Sequence, residues 1–313
     1  MSVRQLIEGC FAAAALFLLL LNPSLSLSGA RNGLLLWSNT VLPTLLPFMI
    51  FAGMIGALGM VSMVTGPFLP ILNKLFGLSA HGSFVLLSGL LCGYPMGARL
   101  DSDLLDQGAL SEQEAQVLLA VSCYPSPMFL LGYTAEQLGK MPGGSLPMYL
   151  VLLSLYLPAI PISFAARKLY HYSGAALFSE KRDGFSRPFS FDQHLMDCFD
   201  TMVRIGLYMM LFSILASWLT ALPAWVPLFV RCLLTSACEM TTGIHLSSLF
   251  LGGLTGQLMI LWAAAFGGLC GAFQTKSVLK NARLSIWHYI LWKLAHSLLS
   301  CLCFYLILKI PGR

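Results

Sequence analysis

The chain has 313 residues, 57% of them hydrophobic and only 10% charged, with a net charge of +5 and a mean hydropathy of +0.78. Soluble domains carry roughly 25% charged residues, so this composition excludes an ordinary soluble domain and marks a polytopic membrane protein. The basic residues are scattered between apolar segments with no basic stripe and no reader motif, which argues against nucleic acid as a partner.

A spanning helix needs about 20 apolar residues. Candidates cover 7–21, 34–60, 82–98, 116–133, 146–166, 201–222, 225–245, 254–273 and 284–309, so eight to ten spans are expected, several of them broken. At the N-terminus, Phe11–Leu21 stops at Asn22-Pro23 and Ser28-Gly29-Ala30 follows. That pattern reads either as a signal peptide or as a retained first helix; residues 1–30 are assigned to an N-terminal transmembrane helix. The 34–60 segment holds Pro43, Pro47, Gly53, Gly56 and Gly59, which predicts a kink.

Two polar stretches punctuate the chain. Residues 99–115 carry Arg99, Asp101, Asp103, Asp106, Glu112 and Glu114, with Ser111 and Glu114 spaced as a capping box. Residues 167–200 hold Arg167, Lys168, Lys181, Arg182 and Arg187, the densest basic cluster. The positive-inside rule makes this a cytoplasmic basic loop. Its end, Phe191–Phe199, reads as an amphipathic interfacial segment.

The pattern of breaks repeats. Long apolar segments, Trp37–Leu58 and Phe199–Leu222, open the two halves. Each is followed by a stretch broken at a polar-glycine motif, Gly93-Tyr94-Pro95-Met96-Gly97 and then Glu239-Met240-Thr241-Thr242-Gly243. A second broken stretch comes about 30 residues later in each half, at Ser122–Pro127 and at Gly267–Gly271; interrupted segments at matching positions point to a transporter binding site. The fold expected is all-α, a polytopic membrane protein of two structural repeats with broken or re-entrant helices, transporter-like. The first repeat is assigned to 31–166 and the second to 201–313. Whether they are parallel or inverted is open at this stage.

Candidate ligand residues sit at the breaks. Glu239 is the sharpest, because a carboxylate at mid-bilayer costs roughly 2.5–3.5 kcal/mol. It reads as a substrate or ion ligand or a proton-coupling carboxylate, or as a structural Glu paired with Arg231 or with the N–H groups of Thr241 and Thr242. With it are grouped Thr241, Thr242, Gly243, Gly93, Tyr94, Ser122, Ser126, Gly267, Gly268 and Gln274. Gln274, Thr275 and Lys276 also read as interface-level residues. The odd number of cysteines, nine, and the lack of a C-x-x-C pair argue for packing thiols rather than a disulfide framework or zinc site. No Walker A, G-x-S-x-G or H-E-x-x-H motif is present. No cofactor, no metal and no enzymatic activity are expected.

These breaks resemble a known pattern. The run Leu42-Pro43-Thr44-Leu45-Leu46-Pro47-Phe48, then Gly93-Tyr94-Pro95-Met96-Gly97-Ala98, Glu239 with Gly243, and Gly267-Gly268 through Gln274 resemble sporulation integral membrane proteins of the YlbJ type, within the nucleoside-recognition Gate-domain superfamily. The family's Asn-rich second break is here Ser122-Cys123-Tyr124-Pro125-Ser126, and its last break has a His where this chain has Gly271 and Ala272. The resemblance implies a multi-pass protein of a bacterial plasma, forespore or mother-cell membrane. It implies a role in spore or cortex formation and does not supply a substrate. Two functions stay open: a transporter-like protein binding a small polar solute or ion between its repeats, or a non-transporting scaffold or assembly factor. Membrane lipids, the solute or ion, and a second copy or an envelope protein are the partners expected.

Overall fold

The structure, a computed structural model, describes residues 3–141, 147–174, 189–280 and 283–309. Every regular element among them is helical. The chain is an all-α membrane protein, and its breaks follow from local chemistry.

Helix α1 (Val3–Leu21) ends at Asn22, whose side chain accepts the Leu25 N–H and so caps α2 (Pro23–Leu36). A wide π turn, Trp37–Val41, leads into α3 (Leu42–Ala57). Pro43 and Pro47 remove two backbone donors here, yet Pro23–Ala57 runs on as one apolar rod of 35 residues. The short α4 (Val61–Thr65) and α5 (Leu69–Phe76) follow. Next come α6 (Ala80–Cys92) and α7 (Met96–Asp106), then α8 (Glu112–Val121) and α9 (Pro127–Phe129). A second π turn, Leu130–Thr134, precedes α10 (Ala135–Gly139), and α11 (Met148–Tyr156) with α12 (Ala159–Leu169) closes the first half.

The second half repeats this order with α13 (Phe191–Thr220), α14 (Leu228–Cys238), α15 (Met240–Phe250), α16 (Gly253–Phe266), α17 (Gly268–Val278) and α18 (Ile286–Leu308). In both halves a long helix is followed by a hairpin, a broken crossing helix and a closing helix. The hairpins are visible in the glycine packing. A Cβ on Gly89 would overlap the Ser122 carbonyl and lie 3.1 Å from the Gly97 Cα, so α6 and α7 fold back on each other about Gly93. A Cβ on Gly243 would overlap Ser236, which folds α15 back on α14 about Glu239. By contrast α16 and α17 continue in one direction, and Gly253–Val278 is long and apolar enough to cross a membrane.

The two halves are inverted. Helix α13 runs antiparallel to the α2–α3 rod: Trp37 Nε1 donates to the Met202 carbonyl at 2.9 Å, and His194 pairs with the Ile50 carbonyl at 3.0 Å. The end of α3 and the start of α13 therefore share one side, called the near side. The open end of the α6–α7 hairpin is also there, since Lys280 after α17 bonds Ser102 and Asp103 at 3.0 and 2.9 Å. The second hairpin follows the far end of α13, where Arg231 reaches the Leu222 carbonyl at 3.5 Å, so it opens to the far side. Lipid offers no hydrophobic drive between helices, so close packing of small residues must hold them. Gly29 and Gly33 supply it, each so close to α13 that a Cβ would come within 3.0 Å of Ser213, Ile214 or Ser217 atoms.

Several expectations are corrected. Among the described residues five helices are long and apolar enough to span: Pro23–Ala57, Met148–Leu169, Phe191–Thr220, Gly253–Val278 and Ile286–Leu308. Of the four other expected windows, 82–98 and 225–245 are hairpin tips, 116–133 is broken at Ser122–Pro127 into short helices, and 7–21 lies in a helix whose apolar part is shorter. The boundary at residue 30 falls inside α2, since Asn22-Pro23 starts a helix that continues. Phe191–Phe199, read as an amphipathic interfacial segment, is helical and forms the first part of α13. The 167–200 segment is not all loop, as α12 runs to Leu169 and α13 starts at Phe191; Lys181, Arg182 and Arg187 lie outside the described residues. The 99–105 stretch is buried helix, with Arg99 8% and Asp101 0% exposed.

Candidate functional site

All four breaks meet around Tyr94. Its backbone N–H donates to the Tyr124 carbonyl at 2.9 Å, tying the first break to the second. Its hydroxyl reaches the Met240 sulfur at 2.8 Å, tying it to the third. Its ring lies within 3.4 Å of where a Cβ on Gly267 or Gly271 would sit, which is the fourth. Gly93, Gly267 and Gly268 have φ of +88°, +80° and +70°, which side chains with a Cβ rarely adopt. Glycine at these points lets the helices stop and turn inside the protein.

Beside Tyr94 opens a cavity of about 440 Å³. Its wall includes Gly93, Tyr94, Ser126, Glu239, Thr241, Gly267 and Gln274, so most of the residues singled out from the sequence line it. Four do not. Ser122 is fully buried and presents its carbonyl to Gly89 and Gly97. Thr242 donates to Glu239, Gly243 makes the hairpin contact, and Gly268 sits under the Cys238 carbonyl.

Glu239 is the N-cap of α15. Its Oε1 accepts the Thr241 N–H at 2.9 Å; its Oε2 accepts the Thr242 N–H at 2.7 Å and the two threonine hydroxyls at 2.6 and 2.7 Å. The first backbone N–H groups of a helix lack intrahelical partners and carry partial positive charge. The carboxylate answers both needs, which is how a residue only 3% exposed keeps its place at this depth. The pairing with Arg231 is not found; that guanidinium turns to the Leu222 carbonyl instead. A carboxylate offers about four lone-pair sites, and three of the bonds fall on Oε2. Oε1 keeps room for one more donor or a cation.

Ser126 caps α9 in the same manner, accepting the Phe129 N–H at 3.2 Å. The cavity is therefore edged by helix ends from both halves. Gln274 is 6% exposed and donates to the Cys270 sulfur at 3.1 Å, and Thr275 is fully buried, so neither is an interface-level residue; only Lys276 is exposed. The reason is that α17 starts at mid-depth, so its first turns lie inside the protein. All nine cysteines are free.

Sequence reasoning missed part of the wall. Asn39, Thr40 and Thr44 face the cavity from the π turn and the start of α3, and Tyr133 donates to the Thr241 carbonyl at 2.7 Å across the two halves. Polar residues in the middle of a long apolar segment were the available signal. Lys293 was missed too. It is 3% exposed in the apolar α18, donates to the Cys123 carbonyl at 2.8 Å, and lies 5.8 and 5.6 Å from the Tyr94 and Tyr124 ring centres. The rule that exposed Glu239 applies equally to this charge.

No family model matches the chain, and no solved structure does. Among curated proteins it is similar to the sporulation integral membrane protein YlbJ of Bacillus subtilis (strain 168), 32% identical over 114 residues, 36% of this chain. The match spans 28% of the length of YlbJ. YlbJ is an integral membrane protein by description, and the five long apolar helices make the present chain a multi-pass membrane protein as well.

Proposed function

We propose that this chain is a transporter-like membrane protein of the YlbJ and Gate type, which takes a small polar solute or an ion into the cavity beside Glu239. One observation carries the reading: two inverted halves bring four helix breaks to one mid-depth cavity. Broken helices at the interface of inverted repeats are the recurring way membrane transporters build a polar site. Irregular backbone is tolerated at that depth where protein or a watery cavity satisfies it. The Glu239 carboxylate receives no described hydrogen bond from a cation. Its spare Oε1 position favours an ion, a proton or a solute carrying N–H or O–H donors. The description of YlbJ supports a place in the membranes of a sporulating cell.

The test is a thermal-shift screen of purified protein against cations and polar solutes, in wild type and Glu239→Gln. A ligand that raises the wild-type transition and leaves the variant unmoved supports the site. A ligand stabilising both equally places binding elsewhere. Failure of every solute and ion, with the variant fully active in a YlbJ-deficient sporulating strain, favours the scaffold reading.

A further inference from the structure

A second cavity, of about 450 Å³, lies on the near side. Its wall holds Arg99, Asp103, His194, Asp197 and Lys280, none of which belongs to the Glu239 site. Three elements pass from one cavity to the other. Helix α3 gives Thr44 and Leu45 to the first and Met49 and Gly53 to the second. The α6–α7 hairpin gives Gly93 and Tyr94 to the first, Met96 and Arg99 to the second. Helix α13 gives Met209 to the first and His194 and Asp197 to the second.

The barrier between them is thin. Leu45 and Met49 are one helical turn apart, about 6 Å at 1.5 Å per residue. With Met96, Met202, Ile205 and Met209 they belong to one larger apolar cluster, each 5% exposed or less. We propose that the two cavities are the two halves of one solute path, that this methionine-rich septum is its gate, and that the Arg99 cavity is its near-side mouth. The inference rests on the transport reading above.

Three features support it. Four of the six septum residues are methionine. Methionine is unbranched with three rotatable bonds and repacks readily, whereas a septum meant only to seal would favour branched, single-rotamer side chains. The second cavity is charged yet balanced: Arg99 Nη1 donates to Thr201 at 2.8 Å, its Nε lies 3.7 Å from Asp103, and Lys280 meets Asp103 at 2.9 Å. A wall of paired charges suits a hydrated passage better than a lipid-facing surface. The mouths also face opposite ways. Gln107 and Gln193 are exposed at the second, while Asn39 and Glu136 are exposed at the first. Glu136 lies before the Met148–Leu169 span, and Tyr170 at the end of that span pairs with His288 at the start of α18, shortly after Lys280 on the near side.

The experiment is thiol labelling of the full chain with its nine native cysteines replaced, in right-side-out and inside-out vesicles, using a membrane-impermeant maleimide. Gln107→Cys should label from one face only, and Gly132→Cys and Thr44→Cys from the other only. Adding Met49→Ala with Met96→Ala should let the reagent reach Thr44→Cys from the Gln107 face, raising that rate about tenfold or more, since a shortened septum no longer fills its space. If that combination does not yield a monodisperse protein, Leu45→Ala makes the same test. Labelling of Gln107→Cys and Gly132→Cys from the same face overturns the two-mouthed path. An unchanged Thr44→Cys rate in a folded septum variant overturns the gate. Labelling needs no transported solute, so either failure leaves the Glu239 site standing. Conversely, opposite-face labelling with no ligand in the thermal-shift screen sinks the solute site alone.

Discussion

Replacing Glu239 by Gln tests the cap and the site together. The carboxylate accepts four hydrogen bonds, one on Oε1 and three on Oε2. An amide has one oxygen, and the better placement puts it where Oε2 lies, keeping those three. Its NH₂ group then faces the Thr241 N–H, donor against donor, at the 2.9 Å that now holds a bond. An unpaired buried donor costs about 1–3 kcal/mol. Loss of the negative charge at a partly buried helix N-terminus adds about 0.5–2 kcal/mol. The sum is about 1.5–5 kcal/mol, so the variant should insert and fold but with reduced stability. Glu239→Asp should recover part of the loss, because a shorter carboxylate still caps. The assay is unfolding in mixed micelles with rising SDS, followed by far-UV circular dichroism. A Gln variant within about 0.5 kcal/mol of wild type would refute this account of how the carboxylate is held. Arg231→Gln should not rescue the Gln variant, since the two residues are not paired.

Gly97→Leu should abolish folding or function, because a Cβ there overlaps the Ser122 carbonyl, whereas Gly139→Leu, with open space around it, should be silent by expression and size-exclusion profile. Gly29→Leu is no neutral control; its Cβ would lie 2.8 Å from the Ile214 backbone and push α2 off α13. Tyr133→Phe removes the bond to the Thr241 carbonyl and should cost about 0.5–1.5 kcal/mol in the same micelle titration, with weaker binding of any ligand found for the wild type. Asp183→Cys in a Cys-free background should react with an impermeant maleimide only from the cytoplasmic face, as the basic cluster around it requires; labelling from outside intact cells would reverse the assigned orientation.

Much of the site was legible in the residues. Pro, Gly and a lone carboxylate inside apolar runs can be tolerated only where helices stop, so Gly93–Gly97, Ser122–Pro127, Glu239–Gly243 and Gly267–Gly271 announced the breaks without any tertiary information. Their matched spacing announced the repeat. The tertiary structure alone decided three things. It decided direction: hydropathy cannot tell a hairpin tip from a crossing helix, and only the Gly89–Gly97 and Gly243–Ser236 packing shows that the first and third breaks fold back. It decided partners: Glu239 chose the nearest backbone donors over Arg231, and while Ser111 caps α8 as expected, accepting the Glu114 N–H at 3.2 Å, the Glu114 side chain accepts the Ser79 N–H at 2.7 Å across two helices. It decided depth, since Arg99, Asp101 and Lys293 are buried by neighbours distant in sequence. Local chemistry fixes where a helix must end. What lies beside that end depends on the packing of the whole chain.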